Sequence, residues 1–178
     1  MLKINRDPDK SERRSKARIK NLTASYVDFQ KNKLKTPDEI LDFRINGDNL
    51  TVWYAKITHL IGENDEFADG EYLVKVTATD DFPVKPPDFQ FLTPNGVYES
   101  HKRVCIDIGS YHTENYPATL GMVGFTKMLV SGLVDYAHLG HGINLIKTTV
   151  EEKKRLASKS REYNRTKNAE IIALFDTD

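Results

Sequence analysis

The run from residue 40 to residue 92 constrains the fold most. ILDFRIN (40–46) ends at Asn46-Gly47-Asp48, LTVWYAKITHLIG (50–62) follows, and EYLVKVTAT (71–79) comes after the acidic turn ENDEFADG. DFQFL (88–92) reads as a fourth strand. Short connections carrying Gly and Asp favour an antiparallel β-meander. Between the third and fourth runs lies DDFPVKPPDF, whose three prolines in five residues forbid a helix or a central strand. That stretch is either a stiff structural turn or a rigid exposed loop that presents Val84 to a partner.

The flanks read as helices. Residues 8–32 begin with Asp7 as a cap and Pro8 at the first helical position. Ile19, Leu22, Tyr26 and Phe29 recur at helical spacing as one apolar stripe. Lys10, Arg13, Lys16, Lys20 and Lys31 fall on the other side, as a solvated basic face or a docking face for an acidic protein surface. GMVGFTKMLVSGLVDYA (121–137) is apolar nearly all round, which predicts a buried helix. Gly121, Gly124 and Gly132 weaken it in isolation, so packing must hold it. Thr148 and Glu151 form a capping box that opens TTVEEKKRLASKSREYN, and KNAEIIALF supplies a last short helix. SYHTENYPATL (110–120) and HLGHGIN read as loops.

The predicted class is therefore α+β. It has an N-terminal helix, a four-stranded antiparallel β-meander, a long loop holding a cysteine, a buried central helix and C-terminal helices. The length of 178 residues suits a single domain over 1–178, with a core at about 10–165.

The formal net charge is zero, which argues against nucleic acid as a partner. The balance is uneven: residues 1–35 carry 11 Lys and Arg against 4 Asp and Glu, and the rest carries 15 against 22. A basic arm on an acidic body suits an acidic partner. One cysteine cannot form an internal disulfide, which fits a reducing compartment. No signal peptide is evident, and no apolar run approaches the roughly 18 residues of a membrane span. The sequons at Asn21, Asn49 and Asn164 read as chance matches.

The single cysteine, Cys105, stands ten residues after Asn95 in TPNGVYESHKRVCIDIG. It is a small buried hydrophobe or a nucleophile. In an extended segment Arg103 would lie on its side of the chain and favour the thiolate modestly. A cysteine hydrolase would need a histidine base within reach, and His112 and His141 are the nearest loop candidates. A thioester carrier needs no such base, because the energy is already in the bond. Its tetrahedral intermediate needs a donor for the oxyanion, which an asparagine side chain can supply. Pro94-Asn95-Gly96 is a rigid turn on which that asparagine could sit, or simply a good turn sequence.

FPVKPPDFQFLTPNG, followed by Cys105 in RVCIDI, resembles the catalytic region of ubiquitin-conjugating enzymes. NYPAT and GFTKMLVSGLV are similar to the loop and buried helix that follow in that family, and Trp53 falls at its central tryptophan. The resemblance covers roughly residues 10–145. Thr93 replaces the usual histidine, and TPNG with a ten-residue step to the cysteine resembles the tail-anchored J class of the endoplasmic reticulum. Val84 stands where many members carry an aromatic, and Tyr116 stands near the usual tryptophan.

The resemblance implies roles residue by residue. Cys105 would accept ubiquitin, or a ubiquitin-like protein, as a thioester from an ATP-driven activating enzyme. Asn95 would stabilise the oxyanion or hold the active-site loop. Arg13, Arg14, Lys16 and Lys20 would dock on the activating enzyme. Pro83, Val84, Pro117 and Ala118 would meet a ubiquitin ligase. The strands over 36–60 would include a face opposite the cysteine, where some members bind a second ubiquitin. Transfer would go to a lysine, or to serine or threonine as in the J class, with His141 or His112 assisting a hydroxyl. The expected setting is protein quality control or degradation. No cofactor and no metal are expected; His138 and His141 lack evident third and fourth ligands for zinc.

The expected location is cytoplasmic, or the cytosolic face of the endoplasmic reticulum if an anchor has been removed after Asp178. The competing readings are a catalytically silent relative that acts as a binding or scaffold module, and a cysteine hydrolase. The presence of Cys105 beside an intact Pro-Asn favours the thioester carrier over the silent module, and the sequence places no convincing histidine base for a hydrolase.

Overall fold

A computed structural model of the chain describes residues 8–35, 40–104, 116–138 and 144–176. Helix α1 spans Pro8–Lys35, with Asp9 in its first turn complementing the helix dipole. Leu22 and Phe29 of its apolar stripe are buried, and Tyr26 is half-buried. Arg18, one turn before Leu22, is partly buried. It donates to the Thr79 carbonyl at 2.8 Å and pairs with Asp80 at 2.9 Å, pinning α1 to the start of the proline-rich loop.

The sheet is the meander the sequence predicts. Strands β1 (Leu41–Ile45), β2 (Val52–Thr58), β3 (Glu71–Thr77) and β4 (Asp88–Phe91) lie antiparallel in chain order. Pairing Ile45 with Trp53 and Trp53 with Val76 puts Trp53, Ala55 and Ile57 on the core face. Trp53 meets Tyr26 edge-on at 5.2 Å and Phe43 at 5.5 Å. Its indole N–H donates to the Leu50 carbonyl at 2.9 Å, so the ring is buried without an orphaned donor.

Helix α2 (Gly121–Val134) buries Met122, Phe125, Leu129 and Leu133 against this face. The helical run ends at Val134, shorter than the expected 137. Asp135 leaves helical geometry, and a 3-10 turn, Tyr136–His138, follows. Tyr136 there packs edge-on to Phe67 at 6.1 Å, and that contact redirects the chain.

Helix α3 spans Val150–Lys167, and a short α4 (Ala169–Ile172) runs into a 3-10 turn, Ala173–Phe175. The cap of α3 corrects the expected box by one residue. Thr149, not Thr148, is the N-cap, and its hydroxyl accepts from the Glu152 N–H at 3.1 Å. Thr148 has a distant partner instead, as described below.

The second sheet face is also covered. Phe175 packs with Leu73 and Leu92, with Arg44 at 5.6 Å and Lys56 at 5.0 Å from its ring. Part of the 36–60 strands, at Arg44 and Lys56, therefore lies beneath the C-terminal segment.

Candidate functional site: the Asn95 turn

The TPNG segment leaves β4 under tight backbone control. Thr93 Oγ1 accepts from the Leu73 N–H at 2.9 Å and donates to Asn164 Oδ1 at 2.6 Å. Asn164 in turn donates to the Glu71 carbonyl at 2.9 Å, so Thr93 and Glu71 are tied to α3 through one buried amide. That burial is also at odds with Asn164 as a glycan acceptor.

Asn95 is fully buried. Its Oδ1 accepts from the Val97 N–H at 2.9 Å and the Tyr98 N–H at 2.8 Å, and its Nδ2 faces the Thr93 carbonyl at 3.4 Å. The side chain thus serves as a backbone acceptor that fixes the turn. Gly96 has φ +82°, and a Cβ there would sit 2.7 Å from Thr148 Oγ1. Both facts require glycine at this position.

A second segment, 144–148, runs antiparallel beside the turn. The Ile146 N–H donates to the Val97 carbonyl at 2.8 Å, and the Glu99 N–H donates to the Asn144 carbonyl at 2.9 Å. Thr148 Oγ1 donates to the Gly96 carbonyl at 2.7 Å, and Asn144 Nδ2 donates to the Arg103 carbonyl at 2.8 Å. Residues 101–104 lie along β4: the His101 N–H reaches the Phe91 carbonyl at 2.7 Å and the Val104 N–H reaches the Phe89 carbonyl at 2.8 Å. The chain is therefore held in place up to Val104, the residue before Cys105. Arg103 pairs with Asp88, so its charge is already partly answered on the sheet. Cys105, His112 and His141 lie outside the described residues.

A buried ionic cluster sits behind this segment. Lys153 is 3% exposed; its Nζ donates to the Thr148 carbonyl at 2.7 Å and lies 4.2 Å from the Tyr136 ring centroid. Burial pushes its ammonium below the usual lysine value, against the opposing pull of Glu66. Glu66 is also buried, which works against its charge, yet its own N–H, the Asn64 N–H, the Tyr136 hydroxyl and the Lys153 charge together outweigh burial. Its carboxyl is held below the usual range. Among the described residues no group of three His, Cys, Asp or Glu could hold a metal ion.

The docking candidates sit on the surface. Arg13, Arg14, Lys16 and Lys20 are exposed on α1. Arg13 pairs with Asp9 at 2.6 Å and Lys16 with Glu12 at 2.7 Å, one turn apart. Val84 is 77% exposed at the tip of the proline loop, with Phe82 buried beneath it and Pro83 half-buried. Pro117 and Ala118 are exposed at the entry to the 3-10 turn Ala118–Leu120. A cleft lined by Ser25, Asp28, Phe29, Thr119, Leu120 and Met122 separates that turn from α1. Tyr116 packs edge-on to Phe125 at 5.8 Å.

Sequence reasoning missed four residues of this site: Asn144, Thr148 as a tether, Lys153 and Asn164. The doubled threonine at 148–149 was a signal that one of them had another task. Asn144 left no signal beyond a glycine-rich loop.

No protein-family profile matches the chain. Ubiquitin-conjugating enzyme E2 6 of Candida glabrata is 30% identical over 158 residues, covering 88% of this chain and 60% of that protein. The chain's relatives are ubiquitin-conjugating enzymes E2. The E2 J2-like protein of Dictyostelium discoideum is 28% identical over 158 residues, covering 88% of this chain and 86% of that protein. A crystal structure of a ubiquitin conjugating enzyme E2 from Plasmodium falciparum, 25% identical, covers 62% of this chain and 96% of that one, with a TM-score of 0.47. The chain spans 51% of the Eremothecium gossypii E2 6 and 60% of the Candida glabrata one, about half to three fifths of the fungal relatives it matches. No helix among the described residues is long and apolar enough to cross a membrane.

Proposed function

We propose that the chain is a ubiquitin-conjugating transferase. Cys105 accepts ubiquitin, or a ubiquitin-like protein, as a thioester from an activating enzyme. It passes the acyl group to a substrate lysine with the help of a ligase. The observation that carries this reading is the locked Asn95 turn, ten residues before the single cysteine, in a chain similar to ubiquitin-conjugating enzymes along 88% of its length.

The bond accounting is simple. The Cys105 thiolate attacks the modifier's C-terminal carbonyl, carried as a thioester on the activating enzyme, and displaces that enzyme's thiolate to form the new thioester. The neutral lysine amine then attacks that carbonyl, its proton passes to solvent or the departing thiolate, the C–S bond breaks, and an isopeptide bond remains. Asn95 serves this step by fixing the loop, because its acceptor is committed to two backbone N–H groups. The exposed basic side chains of α1 suit an acidic surface of the activating enzyme. Val84, Pro117 and Ala118 suit a ligase.

The finer reading is a J-class enzyme working at the cytosolic face of the endoplasmic reticulum in quality control. The J2-like relative and the TPNG spacing support it. Serine and threonine are then acceptors too, with His141 or His112 as proton acceptor.

The test is a charging reaction with activating enzyme, ubiquitin and ATP. A reductant-labile adduct in the wild type, a stable oxyester in Cys105→Ser and none in Cys105→Ala is the expected pattern. No adduct with ubiquitin or any ubiquitin-like protein would overturn the reading and leave a silent binding module.

A further inference from the structure

We propose that Asn144 and Thr148 are positioning residues for acyl transfer, the two ends of a clasp that holds the Asn95 turn and the chain entering Cys105 in one frame. The inference rests on the thioester reading above.

The clasp is a single five-residue segment with two side-chain donors that reach different backbone carbonyls. At one end Thr148 Oγ1 reaches Gly96 O at 2.7 Å, next to Asn95. At the other, Asn144 Nδ2 reaches Arg103 O at 2.8 Å, two residues before Cys105. Between them the backbone hydrogen bonds at Val97 and Glu99 keep the two segments in register. Asn95 grips the N–H groups of Val97 and Tyr98, while the clasp grips the carbonyls of Gly96 and Val97. The 96–98 segment is thus held from both sides.

The segment is itself held. Lys153 Nζ donates to Thr148 O at 2.7 Å, and the Lys153 stem fills the space beside Gly96, where a Cβ would meet Cγ at 2.9 Å. Asn144 has φ +67°, a left-handed conformation that asparagine tolerates better than most residues. That conformation lets one residue both pair with Glu99 through its carbonyl and reach Arg103 through its amide.

Acyl transfer depends on placing groups to within a fraction of an ångström, and a 1 Å misplacement can cost on the order of a hundredfold. Either tether, once cut, frees a carbonyl of the segment that leads from Asn95 to Cys105, while the core remains packed.

The experiment loads wild type and variants with ubiquitin, stops loading, and follows single-turnover discharge of the preformed thioester onto free lysine. The variants are Thr148→Val and Thr148→Ser, and Asn144→Asp. Thr148→Val removes the hydroxyl at nearly constant volume, and Asn144→Asp removes the donor while keeping the shape. Counting discharge per loaded molecule restricts the measurement to folded protein. The expected result is loading to the wild-type end point, with discharge slowed on the order of tenfold in Thr148→Val and Asn144→Asp, and rescue by Thr148→Ser.

Wild-type discharge rates in both isosteric variants would overturn the inference, as would a Thr148→Ser variant as slow as Thr148→Val. Loss of loading in both would assign the clasp to folding alone, which also overturns it. A wild-type protein that never loads would sink the thioester reading instead, and does so in a different lane.

Discussion

Thr93 Oγ1 donates to Asn164 Oδ1 at 2.6 Å, joining the end of β4 to the last turns of α3 across 71 residues of sequence. The same hydroxyl accepts from the Leu73 N–H. Thr93→Val should therefore leave a buried N–H without its acceptor and cost about 1–3 kcal/mol of stability. Asn164→Ala should cost a similar amount, and the double variant less than the sum, because both sit in one network. Urea denaturation of the three proteins measures this.

The Asn95 side chain separates two roles. Asn95→Asp keeps the Oδ1 acceptor and removes the Nδ2 donor. If the side chain works by fixing the turn, Asn95→Asp should discharge far faster than Asn95→Ala. A donor essential to the oxyanion would instead make the two equally slow, by roughly 100- to 1,000-fold. Single-turnover discharge distinguishes them, and the expected outcome is the first.

Glu66 shapes the acid limb of stability. Its carboxyl titrates below the ordinary value of 4.5 in the folded chain. The unfolded chain therefore binds the proton first, and the stabilisation is present above about pH 4.5 and lost as pH falls through the folded value. Glu66→Gln should flatten the stability curve below pH 4.5 while changing its shape little near neutrality. Urea midpoints collected from pH 3 to pH 7 test the sign.

Phe175 anchors the C-terminal segment over the second sheet face. Phe175→Ala should cost about 2–4 kcal/mol, from lost burial and the contacts to Arg44 and Lys56. It should also make residues 168–176 the first site of limited proteolysis. Mass mapping of the nicked product checks it.

Val84 stands clear of the core. Val84→Ala should change stability by no more than about 0.5 kcal/mol. It should leave loading and ligase-free discharge intact and weaken ligase-stimulated discharge. A discharge assay with and without ligase separates these.

The strands and α1 were legible because their signals are local. Alternation in VWYAKIT and the turn at Asn46-Gly47-Asp48 need no distant partner to be read. The end of α2 was read too long because Tyr136 turns away to meet Phe67, a residue far off in the chain. Nothing in the local sequence marks Glu66 or Lys153 as buried, and only the fold encloses them.

The sequence by itself determined the order of elements, the antiparallel meander, and the placing of a Pro-Asn-Gly turn ten residues before the one cysteine. Periodicity and turn chemistry act over a few residues, so the chain states them openly. The tertiary structure decided what holds that turn. Thr148 and Thr149 each have a Glu three residues on, so the local pattern fits either as a cap. Thr149 caps α3 because the Gly96 carbonyl, 52 residues away, takes the hydroxyl of Thr148. A hydrogen bond of that reach exists only after the chain has closed on itself, and no local pattern can encode it.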